Sequence, residues 1–306
     1  MFSEIKDYGA VFETLVTKTA DYLIQNNIKA QILGISGGID STVVAAICHE
    51  VSKRTNIPLI GRSLPTKFNK EGETTTADLV GKAFCNDYKV CPIQEMYEDF
   101  ILSIRNYEEK LGIWSGSDHQ TPIANGNIQA RLRMIYLYNL ASIHGGLVMD
   151  TDNLTENNLG YFTIHGDVGD FNPIGGLWKT EVFKLAEWLA NNKYKLSYSP
   201  REVTTIIDSP GSAVKIHSRQ EAILESLKLK PTAGLGITDS DLDEIGAESY
   251  DQVDRVLQYL TDETISIDSI KDIPEEICNT IVKRYYSSRF KRKQLPIKIE
   301  RNGILV

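Results

Sequence analysis

Hydrophobic positions along the chain alternate between two periods. Ile5, Tyr8, Phe12, Leu15, Val16, Tyr22 and Leu23 recur at near-helical spacing and predict an amphipathic helix over residues 3–25. The continuous apolar run Ala30 to Ile35 predicts a buried strand, and the helical pattern after it ends near Lys53 and Arg54. Leu59 to Leu64 is a second strand closed by Pro65, residues 66–76 are a polar loop, and Thr76 to Asn86 is helical. Lys89 to Ile93 reads as a third strand, and residues 112–127, rich in Gly, Ser, Asn and Asp, read as a long loop. The following helix carries Ile128, Leu132, Ile135, Tyr136, Leu140 and Ile143 as its apolar stripe, and Leu147 to Met149 is a further buried strand. Helices are predicted after Lys179, near residues 218–228 and from Asp239 to Leu260. Strands alternating with helices predict an α/β fold, a doubly wound parallel sheet with flanking helices. Ligands of such sheets lie beyond the carboxyl ends of the strands.

One such end carries Gly34-Ile35-Ser36-Gly37-Gly38-Ile39-Asp40-Ser41. A glycine turn between a buried strand and a helix lets backbone N–H groups approach an anion closely, at the positive end of the helix. Ser36 and Ser41 add hydroxyls, and Asp40 adds a carboxylate able to hold a metal. No Lys follows the second glycine, so this is not the common phosphate loop. The two glycines taken alone read equally well as a plain turn.

Composition narrows the classes. The 306 residues suffice for a sizeable core, and the charge of −8 argues against a general nucleic-acid binder. Cys48, Cys85, Cys91 and Cys278 form no CxxC pair and no zinc spacing, so reduced thiols in a cytoplasmic protein are expected. No run is long enough for a membrane span, and no signal-peptide pattern is present.

Other polar groups gain meaning from position. Asp150, Asp152 and Glu156 follow the strand ending at Met149, where they suit either a metal ion or an acidic helix cap. Arg131 and Arg133 lie two residues apart on one helix, hence on nearly opposite sides, and both read equally as solvated. Gly166-Asp167 and the basic stretch Phe290 to Lys293 are by themselves a turn and a solvated tail.

Together these pieces resemble the NAD synthetases, of the N-type ATP pyrophosphatase class. The resemblance rests on S-G-G-x-D-S at Ser36 to Ser41, on Asn127 to Met134 as N-x-x-A-R-x-R-M, on Thr151-Asp152-Asn153 with Glu156, and on Gly160 to Thr163. It continues through Gly166-Asp167, Asp170 to Pro173, Lys179, Pro231-Thr232-Ala233 and the Lys-Arg stretch before Pro296. It implies an adenine-nucleotide-hydrolase-like fold and one synthetase domain over 1–306, with an insertion at about 191–229. It implies that Gly34 to Ser41, Thr151, Lys179 and Thr232 contact ATP, and that Asp40 and Glu156 bind Mg²⁺. It further implies that Arg131, Asp170, Lys291 and Arg292 face nicotinic acid adenine dinucleotide (deamido-NAD), that Asp167 lies near the entering ammonia, and that the protein is a homodimer. Asp150 in place of Gly, Ile164 in place of Lys, Gly234 in place of Asp and the Phe-Lys-Arg-Lys tail depart from the pattern.

The implied chemistry transfers AMP to a carboxylate, which ammonia then attacks. With the ATP turn opening at residue 34, no room is expected for an upstream amidase domain, so ammonia rather than glutamine is the expected donor. The helix Ile128 to Ile143, with Tyr136 and Tyr138, is the expected dimer surface. Competing readings are another ATP pyrophosphatase, GMP synthetase-like or tRNA-modifying, and a non-catalytic nucleotide sensor. The absence of paired cysteines and of a basic face argues against tRNA thiolation, and Asp40, Glu156, Asp167 and Lys179 argue against a sensor.

Overall fold

The structure, a computed structural model, describes residues 5–113, 121–195, 206–207, 213–214, 218–231 and 241–292. Strands β1 (Ala30–Gly34), β2 (Leu59–Ser63), β3 (Asp87–Val90) and β4 (Gly146–Val148) form a parallel sheet in the order β3-β2-β1-β4. The strand order reverses at β1, between β2 and β4, which opens a crevice at its carboxyl end. Apart from Gln31, whose amide is bonded to the Cys48 and Ile57 carbonyls, β1 is apolar on both faces because both are covered: Ala30 and Ile32 enter one core, Leu33 and, just beyond the strand, Ile35 the other. Ile206–Ile207 (β5) and Ala213–Val214 (β6) form a separate antiparallel pair.

The helices are α1 (Tyr8–Gln25), α2 (Ile39–Thr55), α3 (Glu71–Phe84), α4 (Gln94–Leu111), α5 (Thr121–His144) and α6 (Leu154–Leu159). After them come α7 (Lys179–Trp188), α8 (Arg219–Lys228), α9 (Asp241–Ile245), α10 (Tyr250–Thr261) and α11 (Glu275–Ser287). One face of the sheet packs on α1, α2, α3, α7 and α8, the other on α4 and α5. A third core, around Trp178, Val253, Leu257 and Ile281, joins α6 to α9, α10 and α11. Among the described residues, no helix is long and apolar enough to cross a membrane.

Several boundaries differ from the sequence expectation. α3 starts at Glu71, inside the stretch expected to be loop, because the Lys70 N–H donates to the Glu73 carboxylate at 3.3 Å and caps a polar first turn. β3 begins at Asp87 rather than Lys89, since its parallel register with β2 pairs Asp87 with Ile60. α4 lies outside the elements expected: it fully buries only Tyr97, with Ile101 packed beside it, a narrow stripe among exposed apolar residues. On α5 the expected stripe holds in part: Leu132 is buried and Ile128, Tyr136 and Leu140 pack against the same core, but two of its members turn outward. Ile135 is 61% exposed and Ile143 67% exposed, whereas Ala130, Met134, Leu137 and Ala141 are buried. Small side chains face inward there because the helix lies close on the sheet, with Leu137 against Gly34. The span expected as one helix from Asp239 divides into α9 and α10 at Gly246, whose φ of +77° is left-handed.

Candidate active site

The turn between β1 and α2 has the conformation its glycines permit. Gly37 has φ of +87°, and a Cβ there would lie 2.4 Å from the Glu73 carbonyl oxygen. α3 can therefore press against the turn only because position 37 is glycine. Gly38 is the N-cap of α2 and brings no capping side chain, so the first N–H groups of the helix remain for an anion. The turn is braced from within. The Gly38 N–H donates to Ser36 Oγ at 3.2 Å, Ser36 and Ser41 hydroxyls meet at 2.9 Å, and Thr42 Oγ1 donates to the Gly38 carbonyl at 2.9 Å.

Asp40, in the first turn of α2, meets Glu156 of α6 through Lys179, the first residue of α7. Lys179 Nζ donates to Asp40 Oδ2 at 2.5 Å and to Glu156 Oε1 at 2.9 Å. Lys179 is 1% exposed. Burial opposes its charge, but Asp40 and Glu156 together hold the ammonium well above the usual lysine range. Burial and the nearby Asp40 push the Glu156 carboxyl up to about 7, with Lys179 opposing them. Asn153 completes the group, its Nδ2 donating to Asp40 Oδ1 at 2.8 Å. It is also the N-cap of α6: its Oδ1 accepts the Glu156 N–H at 3.0 Å and its own N–H reaches Glu156 Oε2 at 3.2 Å. Glu156 is thus both a capping residue and half of the carboxylate pair. The cap of α6 is Asn153, not Asp152, and the N-x-x-E spacing from 153 to 156 carried that signal in the sequence.

Lys179 is set from behind by a carboxylate with no signal in the sequence. Asp254 of α10, 2% exposed, accepts the Thr155 hydroxyl at 2.5 Å and the Thr180 N–H at 2.9 Å. Thr155 Oγ1 in turn accepts the Lys179 N–H at 2.8 Å. Asp254 thereby fixes the start of α7. Burial pushes its carboxyl up to about 6 despite these donors.

A cavity of about 320 Å³ opens above this group. Gly34, Ile35, Ser36, Gly38, Ile39, Asp40, Thr151, Glu156, Asp167 and Lys179 line it, together with Arg133, Asn69, Lys230 and the apolar Leu64, Met134 and Leu137. Ser41 and Gly37 belong to the turn without lining the cavity. Asp167 accepts the Thr163 N–H at 2.7 Å, and burial pushes its carboxyl up to about 7. Burial and the charges of Asp150 and Asp167 raise Asp152 well above the carboxylate range. Asp150 is tied into the loop by the N–H groups of Asp152 at 2.8 Å and Gly169 at 3.0 Å.

The remaining expected residues are not cavity-lining. Arg131 donates to the Ile164 carbonyl at 3.1 Å and its charge acts on Asp167, whereas Arg133 lines the cavity. Asp170 accepts the Tyr138 hydroxyl and the Val148 N–H, both at 2.9 Å. Lys291 holds the Gly160 and Phe162 carbonyls at 2.7 and 2.6 Å, and Arg292 holds that of Asn158 at 2.6 Å. Thr232 and Gly234 lie outside the described residues.

The arrangement offers N–H donors and a carboxylate pair on one side, an apolar slot, and a buried carboxyl poised near neutrality, which suits activation of an acid by a nucleotide. Comparison with known proteins agrees. Over 290 residues the chain is 31% identical to the NH(3)-dependent NAD(+) synthetase of Pyrococcus furiosus, covering 94% of each chain. It is 28% identical over 295 residues to the glutamine-dependent NAD(+) synthetase of Aquifex aeolicus, covering 95% of this chain but only 45% of that protein's length. The solved structure of NMN synthetase from Francisella tularensis superposes with a TM-score of 0.71 at 25% identity, covering 96% of this chain and 99% of that one. Residues 11–295, which carry the glycine turn, the carboxylate pair and Lys179, match the model of one family, and the chain belongs to it: NAD synthase.

Proposed function

We propose that the chain catalyses ATP-dependent amidation of deamido-NAD to NAD with ammonia, releasing AMP and pyrophosphate. The observation that carries this reading is the meeting of Asp40 and Glu156 on Lys179 at the foot of the glycine turn. A carboxylate oxygen is a poor leaving group, and its adenylylation makes it a good one. The chain's part is to position groups and meet charge. In this reading Gly34 to Ser41 hold the phosphates, Thr151, Lys179 and Thr232 assist, and Asp167, near neutrality, accepts a proton from the incoming ammonium. The 31% identity to the ammonia-dependent relative, against 28% to the glutamine-dependent one, supports ammonia as the donor. We read residues 1–306 as one synthetase domain with an insertion at about 191–229.

Magnesium fits the donor set. Among the described residues no group of three or more His, Cys, Asp and Glu could hold a metal, but Mg²⁺ takes one or two carboxylates and fills its shell with phosphate oxygens and water. Asp40 and Glu156 would hold it, and when bound it supplies charge to the departing pyrophosphate.

Two copies are proposed to pair through the outer faces of α4 and α5, where Phe100, Leu102, Ile135 and Ile143 are exposed. One observation favours a second acceptor. Asp170, Lys291 and Arg292 are engaged with neighbouring protein groups, and the Francisella structure that superposes on this chain is an NMN synthetase. Nicotinic acid mononucleotide is therefore tested beside the dinucleotide. Mass spectrometry of products after incubation with ATP, Mg²⁺, ammonia and each acid in turn decides: NAD is expected from the first, NMN from the second reading. Pyrophosphate release with neither amide formed removes both.

A further inference from the structure

Four cationic side chains line the cavity among the described residues: Arg62, Arg133, Lys179 and Lys230. Three are accounted for. Arg62 is paired with Asp87 at 2.7 Å and with the Gly61 carbonyl at 2.8 Å. Lys179 is held between Asp40 and Glu156. Lys230 is exposed at the rim. Arg133 differs from all of these. Its Nε donates to the Leu64 carbonyl at 3.0 Å and its Nη2 to Asn69 Oδ1 at 3.4 Å, both neutral acceptors. Among the described residues, no carboxylate lies within salt-bridge distance of it, and Nη1 has no hydrogen-bond partner. Glu73 and Asp167 act on it only from farther off. A desolvated guanidinium that lines the cavity, anchored by Nε and leaving Nη1 unpaired, has a charged donor to offer an entering anion.

The position selects the anion. Leu137, one turn along α5 from Arg133, lies against Gly34, and Ala130, one turn the other way, lies against Gly166. Arg133 therefore stands on the wall between the glycine turn and the Asp167 loop. The turn, with the first N–H groups of α2, meets one end of a triphosphate, and the acceptor carboxylate must arrive from the side of Asp167. The phosphorus atom between those two ends is the one attacked.

We propose that Arg133 is a catalytic residue that donates to a non-bridging oxygen of the ATP α-phosphate and holds it through both half-reactions. This rests on the amidation reading above. In the first half, an acceptor carboxylate oxygen forms a bond to the α-phosphorus. The bond from that phosphorus to the bridging oxygen breaks, and its electron pair leaves with pyrophosphate. Negative charge gathers on the non-bridging oxygens in the transition state, where a fixed guanidinium fork stabilises it. In the second half, the ammonia nitrogen bonds to the acyl carbon and gives up a proton to solvent water. The acyl C–O bond breaks and its electron pair leaves on AMP, still held by Arg133.

The test uses Arg133→Met, which keeps the bulk, and Arg133→Lys, which keeps the charge but loses the fork. Turnover should fall by about a hundredfold or more in Arg133→Met, the scale of losing one donor to developing charge. The readout that a scaffolding role would not move is stereochemical. With the two α-thio diastereomers of ATP, the parent should strongly prefer one, and both variants should discriminate far less. Turnover within threefold of the parent, with the same diastereomer preference, would overturn the proposal. Equilibrium binding of AMP and adenosine separates this from failure of the amidation reading, since it requires no acceptor. Arg133→Met should bind AMP about tenfold more weakly, the worth of one charge-assisted hydrogen bond, and adenosine as the parent does. Unchanged AMP affinity in both variants overturns the role whatever acid the enzyme uses.

Discussion

Replacing Lys179 with Met tests the centre of the site. The side chain is buried at 1% exposure and is the cation recorded between Asp40 at 2.5 Å and Glu156 at 2.9 Å. Met fills most of the volume, so the loss is electrostatic rather than a cavity. It leaves two carboxylates facing each other out of bulk water. Breaking a buried ion pair from one side costs about 3–5 kcal/mol. At roughly 2–3 °C per kcal/mol for a chain of this size, Tm should fall by about 6–15 °C. The pH dependence follows from Glu156, which stands at about 7 even with Lys179 present. Without that cation its folded-state pKa rises further above the unfolded value. The folded state then binds more protons than the unfolded state, so stability falls as pH rises through the folded pKa. The deficit relative to the parent should be larger at pH 8 than at pH 6. Calorimetric melting of Lys179→Met and of the double variant Lys179→Met/Glu156→Gln checks this. The double variant removes one orphaned charge and should recover at least half of the loss, without recovering turnover. A Lys179→Met protein melting within about 2 °C of the parent at pH 8, or a double variant melting no higher than the single one, would refute the argument.

Four further outcomes are expected. Asp40→Asn and Glu156→Gln should each lower Mg²⁺-dependent pyrophosphate release by about a hundredfold. Gln keeps the capping box of α6, so Glu156→Gln should fold, as circular dichroism would show. Gly37→Ala forces a side chain to φ of +87° and into the Glu73 carbonyl, so the urea midpoint should fall by the equivalent of about 2–4 kcal/mol. Asp254 has a folded pKa of about 6, above the ordinary aspartate value of 3.8, so its contribution is fully present below about pH 4 and is lost as pH rises to about 6. Urea titrations across that range should show the parent losing up to about 3 kcal/mol relative to Asp254→Asn. Ile135→Asp with Ile143→Asp should give a monomer by light scattering if the outer face of α5 joins two copies.

Much of the fold was legible because its signals are local. The apolar run into β1, the two glycines and the helix after them specify a strand, a sharp turn and an open helix N-terminus through neighbouring residues alone. The sheet class followed from the alternation of strands and helices. Less legible were elements whose formation depends on partners. α3 begins in a polar stretch because Glu73 caps it, and α4 leaves Phe100, Leu102 and Tyr107 in solvent, so these exposed apolar residues mask its inward stripe of Tyr97 and Ile101.

The sequence by itself determined the identity of the groups at the site: the glycine turn, Asp40, Glu156, Asp167 and Lys179. Tertiary structure decided their relations. Lys179 reaches Asp40 across 139 positions because the carboxyl ends of parallel strands bring α2, α6 and α7 to one crevice. Asp254 acts on that lysine only through Thr155, a connection no spacing encodes. From the residues alone Arg131 and Arg133 were interchangeable, since a helix turns about 100° per residue and its absolute phase is unmarked, and only the resemblance singled out Arg131. Close packing of α5 on β1, with Leu137 against Gly34, sets that phase, turning Arg133 into the cavity and Arg131 to the Ile164 carbonyl.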